Sequence, residues 1–383
     1  MISKEKIVKC AEAIVTGMNL KQGEAVIIRG GTHTQSLLEE IGIMCYKKGA
    51  QPLIIATSDD YSARIYKEVP VETLEVTPKH LLGAVKEADA YIVIEPFKDP
   101  RIQTLFPREK IAARTKANVP IRKVLYGEDE GLGKKWTYAG WPTPEAASFY
   151  GIDYNDLERL IIEGMTVPAS VLKQRTSRLA ERLKGAEELR VTDGQGTEFT
   201  CRIKGRRINE DDGVVDDHDI EIGDLGNNLP AGELFIAPHE TVGEGTIFCP
   251  VTIDRFTNKI IRDVTLYFED GRLVLEKCKA RVNQDQMIDS FKRCLEIDSK
   301  EKEVRTTNIA ELGIGCNPAI DKAIGYILTD EKLGGSVHVA FGSNLGYGGT
   351  SRSCMHWDFV TDPSATIEIV ENNEVIMKNG RIL

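Results

Sequence analysis

A chain of 383 residues with 41% hydrophobic and 28% charged side chains is an ordinary globular protein, long enough for two domains with separate cores. Its net charge of −10, with no basic block, argues against a general nucleic-acid binder, and no stretch is apolar for the length a membrane helix needs. The opening "MISKEKIVKC" lacks the apolar core of a signal peptide, so a cytoplasmic protein is expected.

The first half alternates strand and helix patterns. "EAVIIRGG" reads as a buried strand ending in a glycine turn, and "TQSLLEEIGIMCYKKGA" as an amphipathic helix closed by Gly49. "QPLIIAT" is the next strand, "HLLGAVKEADAYIVIEP" a helix then a strand, and "IRKVLYG" a further strand. Such alternation predicts an α/β domain built on a parallel or mixed sheet. The "RGGTHT" turn lacks both the Lys-Ser/Thr ending of a phosphate loop and the three-glycine spacing of a dinucleotide fingerprint, so it reads as a tight strand-to-helix turn. "YNDLERLIIEGM" and "ASVLKQRTSRLAERLKGA" are helices.

Near residue 185 the texture changes. "ELRVTDGQGTEFTCRIKGRRI" is a hairpin pattern, followed by strands in "GTIFCPVTID", "VTLYFEDGRLVLE", "GSVHVAFG", "ATIEIV" and "EVIMKNG", with one helix, "NQDQMIDSFKRCLEI". We therefore expect an α/β N-terminal domain over residues 1–184 and a strand-rich α+β C-terminal domain over residues 185–383. The eight cysteines are scattered with no CxxC pair, which favours reduced, mostly buried thiols over disulfides or a zinc ribbon.

Chemistry-bearing residues concentrate in the second half. In "NNLPAGELFIAPHETVGEG", Glu233 opens a short apolar strand between turn residues, with His239 and Glu240 beyond it. In "NIAELGIGCNPAI", Glu311 lies in an apolar segment with almost no charge nearby. It is either exposed on an edge or buried and paired with a cation or metal. In "SVHVAF", alternation sets His338 on a face with the small Ser336 and Ala340; in "CMHWDFV", His356 and Asp358 share one face while Met355, Trp357 and Phe359 share the other. Either histidine alone would by default be a satisfied structural side chain. Two of them with small or acidic neighbours suit ligands better.

Glu233, Glu311, His338, His356 and Asp358 thus form a candidate set for borderline divalent ions such as Zn²⁺, Co²⁺ or Mn²⁺. Three carboxylates and two neutral imidazoles carry about three negative charges. Two divalent ions would bring that to about +1, which suits a bound hydroxide, whereas one would leave the site negative.

In this order, "NNLPAGELFIAPHE", the Glu of "AELGIG", the His of "VHVAFG", "SCMHWDFV" and "EVIMKNGRIL" resemble the thermophilic-type aminopeptidases (the aminopeptidase T and S metallopeptidases). The "LKQGEAVIIRGG" start resembles their N-terminal domain. The resemblance implies a cytoplasmic homodimer with an N-terminal α/β domain and a C-terminal metal domain, acting on peptide substrates; charge and hydropathy already point away from a nucleic-acid or membrane partner. It implies two divalent ions, held by those five residues, whose bound hydroxide attacks the scissile carbonyl. The family's catalytic tyrosine follows the first histidine in a stretch like "HLALGxAY"; this chain has Leu345 at that place and Tyr347 two residues later, so either Tyr347, the candidate catalytic residue, takes the role through a loop shift or the role is missing. The alternatives are a mononuclear iron dioxygenase of the same superfamily that opens dihydroxypyridine rings, and a non-catalytic metal-stabilised scaffold.

Overall fold

The computed structural model describes residues 2–127, 133–254 and 256–383. The fold is mixed α/β, with helices and three sheets. The chain divides into two compact units, Met1–Ala169 with Gly213–Pro230, and Ser170–Asp212 with Ala231–Leu383. Among the described residues no helix is long and apolar enough to cross a membrane.

The first unit holds a five-stranded, wholly parallel sheet in the order Gln51–Thr57, Ala25–Gly31, Ala90–Ile94, Lys135–Ala139, Gly226–Leu229. Central strands of such a sheet bury both faces, which is why Val26, Ile27 and Ile28 run together. The helix Gln35–Lys47 buries Leu37, Leu38, Ile41 and Cys45 on one stripe and is followed by Gly49 at φ +81°. "RGGTHT" is a strand-to-helix turn: the strand ends at Gly31, and Thr34 Oγ1 donates to the Gly31 carbonyl at 2.7 Å.

One expected strand is not a strand. "IRKVLYG" forms the end of the helix Arg108–Tyr126, because Ala113, Ala117 and Ile121, four apart, continue a single buried stripe. Gly127, left-handed at φ +68°, stops it by donating to the Lys123 carbonyl. The strand lies instead at Lys135–Ala139, where the buried Lys135 ammonium is 2.7 Å from Glu24.

The second unit is strand-rich. The expected strands all form, and most join a nine-stranded antiparallel sheet that includes the Glu188–Thr192/Glu198–Arg202 hairpin. A second, five-stranded antiparallel sheet runs His356–Val360, Val337–Gly342, Ile309–Gly315, Glu233–Ile236, Ile208–Asp211. Leu312, Ile314, Val337, Val339, Phe341, Trp357 and Phe359 share one core with the apolar face of the larger sheet. Phe291, from the helix Gln284–Asp298, stacks on Trp357 at 5.3 Å and on Phe359 at 6.3 Å. Seven of the eight cysteines are buried and all are free thiols.

Candidate metal centre

Because side chains alternate along a strand, fixing the apolar face of the five-stranded sheet against the core turns the intervening residues to its other face. The register then does the assembly. Ala340 pairs with Glu311 on one side and with Asp358 on the other, which sets the two carboxylates in one row across three strands. Gly342 pairs with His356, and His338 lies between Gly313 and Val360. Ala340, with only a methyl group, leaves the space between the carboxylates open.

Gly313 has a stricter role. A Cβ there would lie 2.0 Å from Nε2 and Cε1 of His338, so the imidazole rests directly over a residue that must lack a side chain. Glu233 enters from the neighbouring strand, opposite Gly315.

All five expected ligands meet at this face. His338 Nε2 is 3.1 Å from Glu311 Oε1 and 3.6 Å from Glu233 Oε2. His356 Nε2 is 3.4 Å from Glu311 Oε2 and 3.1 Å from Asp358 Oδ1. Glu311 therefore gives one oxygen to each imidazole. His338 is wholly buried, Glu233, Glu311 and Asp358 nearly so, and His356 partly exposed. Burial alone would depress both histidines, but the adjacent carboxylates override it and raise His338 to about 9 and His356 to about 10.

The donors fit a divalent ion. Two ligand atoms about 2.1 Å from a common ion, at about 90–110° to one another, are roughly 3.0–3.4 Å apart, which matches the 3.1 and 3.4 Å spacings around His356. Among the described residues, Glu311, His356 and Asp358 have ligand atoms that all lie within 4.8 Å of one another. Glu233 Oε2 is buried without a hydrogen-bond partner, an arrangement costly for a carboxylate unless a cation completes it. The tautomer of His356 is fixed as well. Its Nδ1 lies 2.8 Å from the Ser343 carbonyl, which can only accept, so Nδ1 carries a proton, and Nε2, facing the carboxylates, is the nitrogen that would give up its proton to a metal.

Tyr347 reaches the same centre from the loop between the two histidine strands. Its hydroxyl is 3.1 Å from His356 Nδ1, and its ring packs edge-on against Phe235 at 5.5 Å. Burial and the Glu311 carboxylate push the phenol upward, so it stays protonated. Leu345, at the place where the family pattern has tyrosine, is 47% exposed and stays out of the site.

Two members of the cluster escaped the sequence reading. Lys332 is fully buried, with Nζ 2.7 Å from Glu233 Oε1 and 2.9 Å from Glu331 Oε2. Burial, with Asp358 and Glu233 close by, raises the Glu331 carboxyl to about 7 even though the Lys332 ammonium opposes it. The signal was the charged triplet "DEK" in a turn just before the His338 strand, but charge runs are usually solvated faces. Cys316 and Cys354 are not among the donors. The Cys316 thiol faces the Ile314 carbonyl at 3.4 Å, and burial pushes it up to about 12.

Known proteins resemble this chain in sequence and in fold. Aminopeptidase AmpS of Bacillus subtilis (strain 168) is 21% identical over 281 residues, 68% of this chain and 67% of its own. The structure of wild-type AmpT from Thermus thermophilus superposes with a TM-score of 0.75 at 19% identity, over 99% of both chains. 2,5-Dihydroxypyridine dioxygenase from Pseudomonas putida KT2440 follows at 0.63 and 15%, over 100% of this chain and 98% of that one. Likeness at such identities speaks for the fold alone. The family profile for thermophilic metalloprotease (M29) matches residues 3–382, so the chain belongs to that family of metal-dependent peptide hydrolases.

Proposed function

We propose that this chain is a two-metal aminopeptidase that removes N-terminal residues from peptides, with Glu233, Glu311, His338, His356 and Asp358 as its metal ligands. The observation that carries the reading is the division of Glu311, one oxygen towards each of two imidazoles, so that it would serve both halves of a site holding two ions. Charge supports the same count. With both imidazoles neutral, as metal ligands must be, and the Lys332 ammonium shared between Glu233 and Glu331, the carboxylates of Glu233, Glu311 and Asp358 leave a negative excess that divalent ions would meet. When bound, Zn²⁺, Co²⁺ or Mn²⁺ would supply Lewis acidity towards a peptide carbonyl and a water acidic enough to react near neutral pH.

The chain's own groups do the rest. The α-amino group of a free peptide N-terminus would be held by an ion or by one of the carboxylates that line the site. His356 Nδ1 already carries a proton for Ser343, so it does not consume that of Tyr347. We assign the neutral Tyr347 hydroxyl to donate its proton in a hydrogen bond to a substrate oxygen as negative charge develops there. Both Glu233 and Glu311 face His338, more carboxylates than a two-histidine, one-carboxylate iron site requires, which disfavours the ring-opening alternative.

A homodimer belongs to the same proposal. Ile43 and Tyr46 on the helix Gln35–Lys47, and Leu53 and Ile54 on the edge strand beside it, are exposed apolar residues that a second copy would cover.

The test is hydrolysis of a free peptide and of its N-acetylated form, before and after chelation. We expect cleavage of the free peptide only, lost with chelator and restored by Zn²⁺, Co²⁺ or Mn²⁺. Full activity after exhaustive chelation, or equal cleavage of the acetylated peptide, would contradict the assignment.

A further inference from the structure

Glu240 lies outside the ligand set, beyond the strand that begins with Glu233, yet it is a 94%-buried carboxylate that the metal centre does not use. Its Oε1 accepts from the Thr350 backbone N–H at 2.7 Å, from Thr350 Oγ1 at 3.1 Å and from Asn344 Nδ2 at 3.1 Å. Its Oε2 accepts from Arg206 Nη2 at 2.6 Å, and Arg206 Nη1 donates to the Gly348 carbonyl at 3.0 Å. The Glu240 carbonyl accepts from the buried Asn308 amide at 2.6 Å, which fixes the position of the carboxylate's own backbone.

Every one of these contacts except the last falls on the segment 344–350 or on the arginine that reaches it. Asn344 closes the same segment from within: its Oδ1 accepts from Ser351 N at 2.7 Å and its backbone N–H donates to the Ser351 carbonyl at 3.0 Å. Gly349 fits against it so closely that a Cβ would lie 1.9 Å from Asn344 Cγ. Four of the eight residues from 344 to 351 are Gly346, Gly348, Gly349 and Thr350, none of them buried, so the segment has little apolar packing of its own to hold it. Tyr347 stands in the middle of this loop.

We infer that Glu240 is a positioning residue: with Arg206 it clamps the 344–351 loop so that the Tyr347 hydroxyl rests beside His356. The inference rests on the reading of Tyr347 as the group that touches substrate. A buried carboxylate with four polar contacts is strong enough to impose one conformation on a glycine-rich segment, where each charge-assisted hydrogen bond outweighs a neutral one. Burial by itself would raise the Glu240 carboxyl, but the Thr350 N–H, the Asn344 amide and Arg206 hold it down at about 2, so it is a carboxylate throughout the working range. Asp298 secures the far flank of the loop by accepting from Ser353 Oγ and, at 3.0 Å, from Cys354 N, so the clamp acts on a segment already tethered at its end.

The experiment has two readouts on the metal-loaded, full-length protein. The first is hydrogen exchange in wild type, Glu240→Ala and Glu240→Gln. We expect the peptide covering 344–351 to exchange at least about tenfold faster in Glu240→Ala, less so in Glu240→Gln, which keeps an acceptor for Thr350. Exchange over 309–315 and the metal content should stay unchanged. An unaltered 344–351 peptide, or an equal loss of protection in 309–315, overturns the inference.

The second readout is kinetic. Glu240→Ala should lower kcat by about ten- to a hundredfold with KM changed less than about threefold, and should have almost no further effect in a Tyr347→Phe background. The same fractional loss in both backgrounds overturns action through Tyr347. If Tyr347→Phe alone keeps wild-type kcat, the reading of Tyr347 has failed and the catalytic part of the inference falls with it; the exchange result separately decides whether Glu240 orders the loop.

Discussion

The imidazole of His338 lies over Gly313, close enough that a Cβ at 313 would fall 2.0 Å from its Nε2. His338 and its seat come from neighbouring strands paired in register, so one methyl group is expected to displace this proposed ligand. We predict that Gly313→Ala lowers metal content towards one equivalent per chain and kcat by at least about a hundredfold. Elemental analysis beside steady-state kinetics checks it, and an undiminished metal content would show that the seat is not needed.

Lys332 is expected to matter most when the metals are gone. In the metal-free chain it is a buried cation among Glu233 and Glu331, and its removal leaves carboxylates uncompensated at a cost of about 3–5 kcal/mol. Metal ions held by the proposed ligands would supply that compensation. Lys332→Met should therefore lower the Tm in chelator much more than the Tm with metal. Equal shifts in the two conditions would show that lysine and metal do not share the same charges.

Tyr347→Phe keeps the ring against Phe235 and removes only the hydroxyl beside His356. A loss in kcat of about ten- to a hundredfold, with metal content intact and KM little changed, is the expected result. Wild-type kcat would return the tyrosine to a packing role.

The pH dependence of stability carries a further prediction from Glu240, whose folded pKa is depressed to about 2 from an ordinary 4.5. A depressed carboxylate contributes stability that is fully present above pH 4.5 and is lost as pH falls through about 2. In chelator, so that metal release does not intervene, Glu240→Gln should lose less stability than wild type between pH 4.5 and 2, measured by urea midpoints. Parallel pH profiles would remove the ion pair with Arg206 from the account.

Much of this was legible in the sequence, for identifiable physical reasons. Alternation along "SVHVAF" and "CMHWDFV" set His338 on one face with Ala340 and placed His356 with Asp358, because period two is imposed by the strand itself. The segment "IRKVLYG" misled because its β-branched and aromatic residues also continue a helical stripe from Ala113 and Ala117, and helix packing prevailed over local preference. Gly313 gave no sign, since its importance depends on which residue sits across the strand. Lys332 and Glu331 were hidden for a related reason: a charged triplet looks solvated until the fold shows what surrounds it. Glu240 stood next to the candidates, but its partners Arg206, Asn344 and Thr350 lie up to 110 residues away.

Metal content per chain tests the central claim most directly, measured by elemental analysis on protein purified without added metal and again after reconstitution, with Glu311→Ala as comparison. The account predicts two equivalents of a divalent ion other than iron in the wild type, and a marked loss of both in the variant that removes the shared carboxylate. A single tightly bound equivalent in the reconstituted wild type, or two equivalents retained by Glu311→Ala, would contradict the two-metal reading and the place of Glu311 in it.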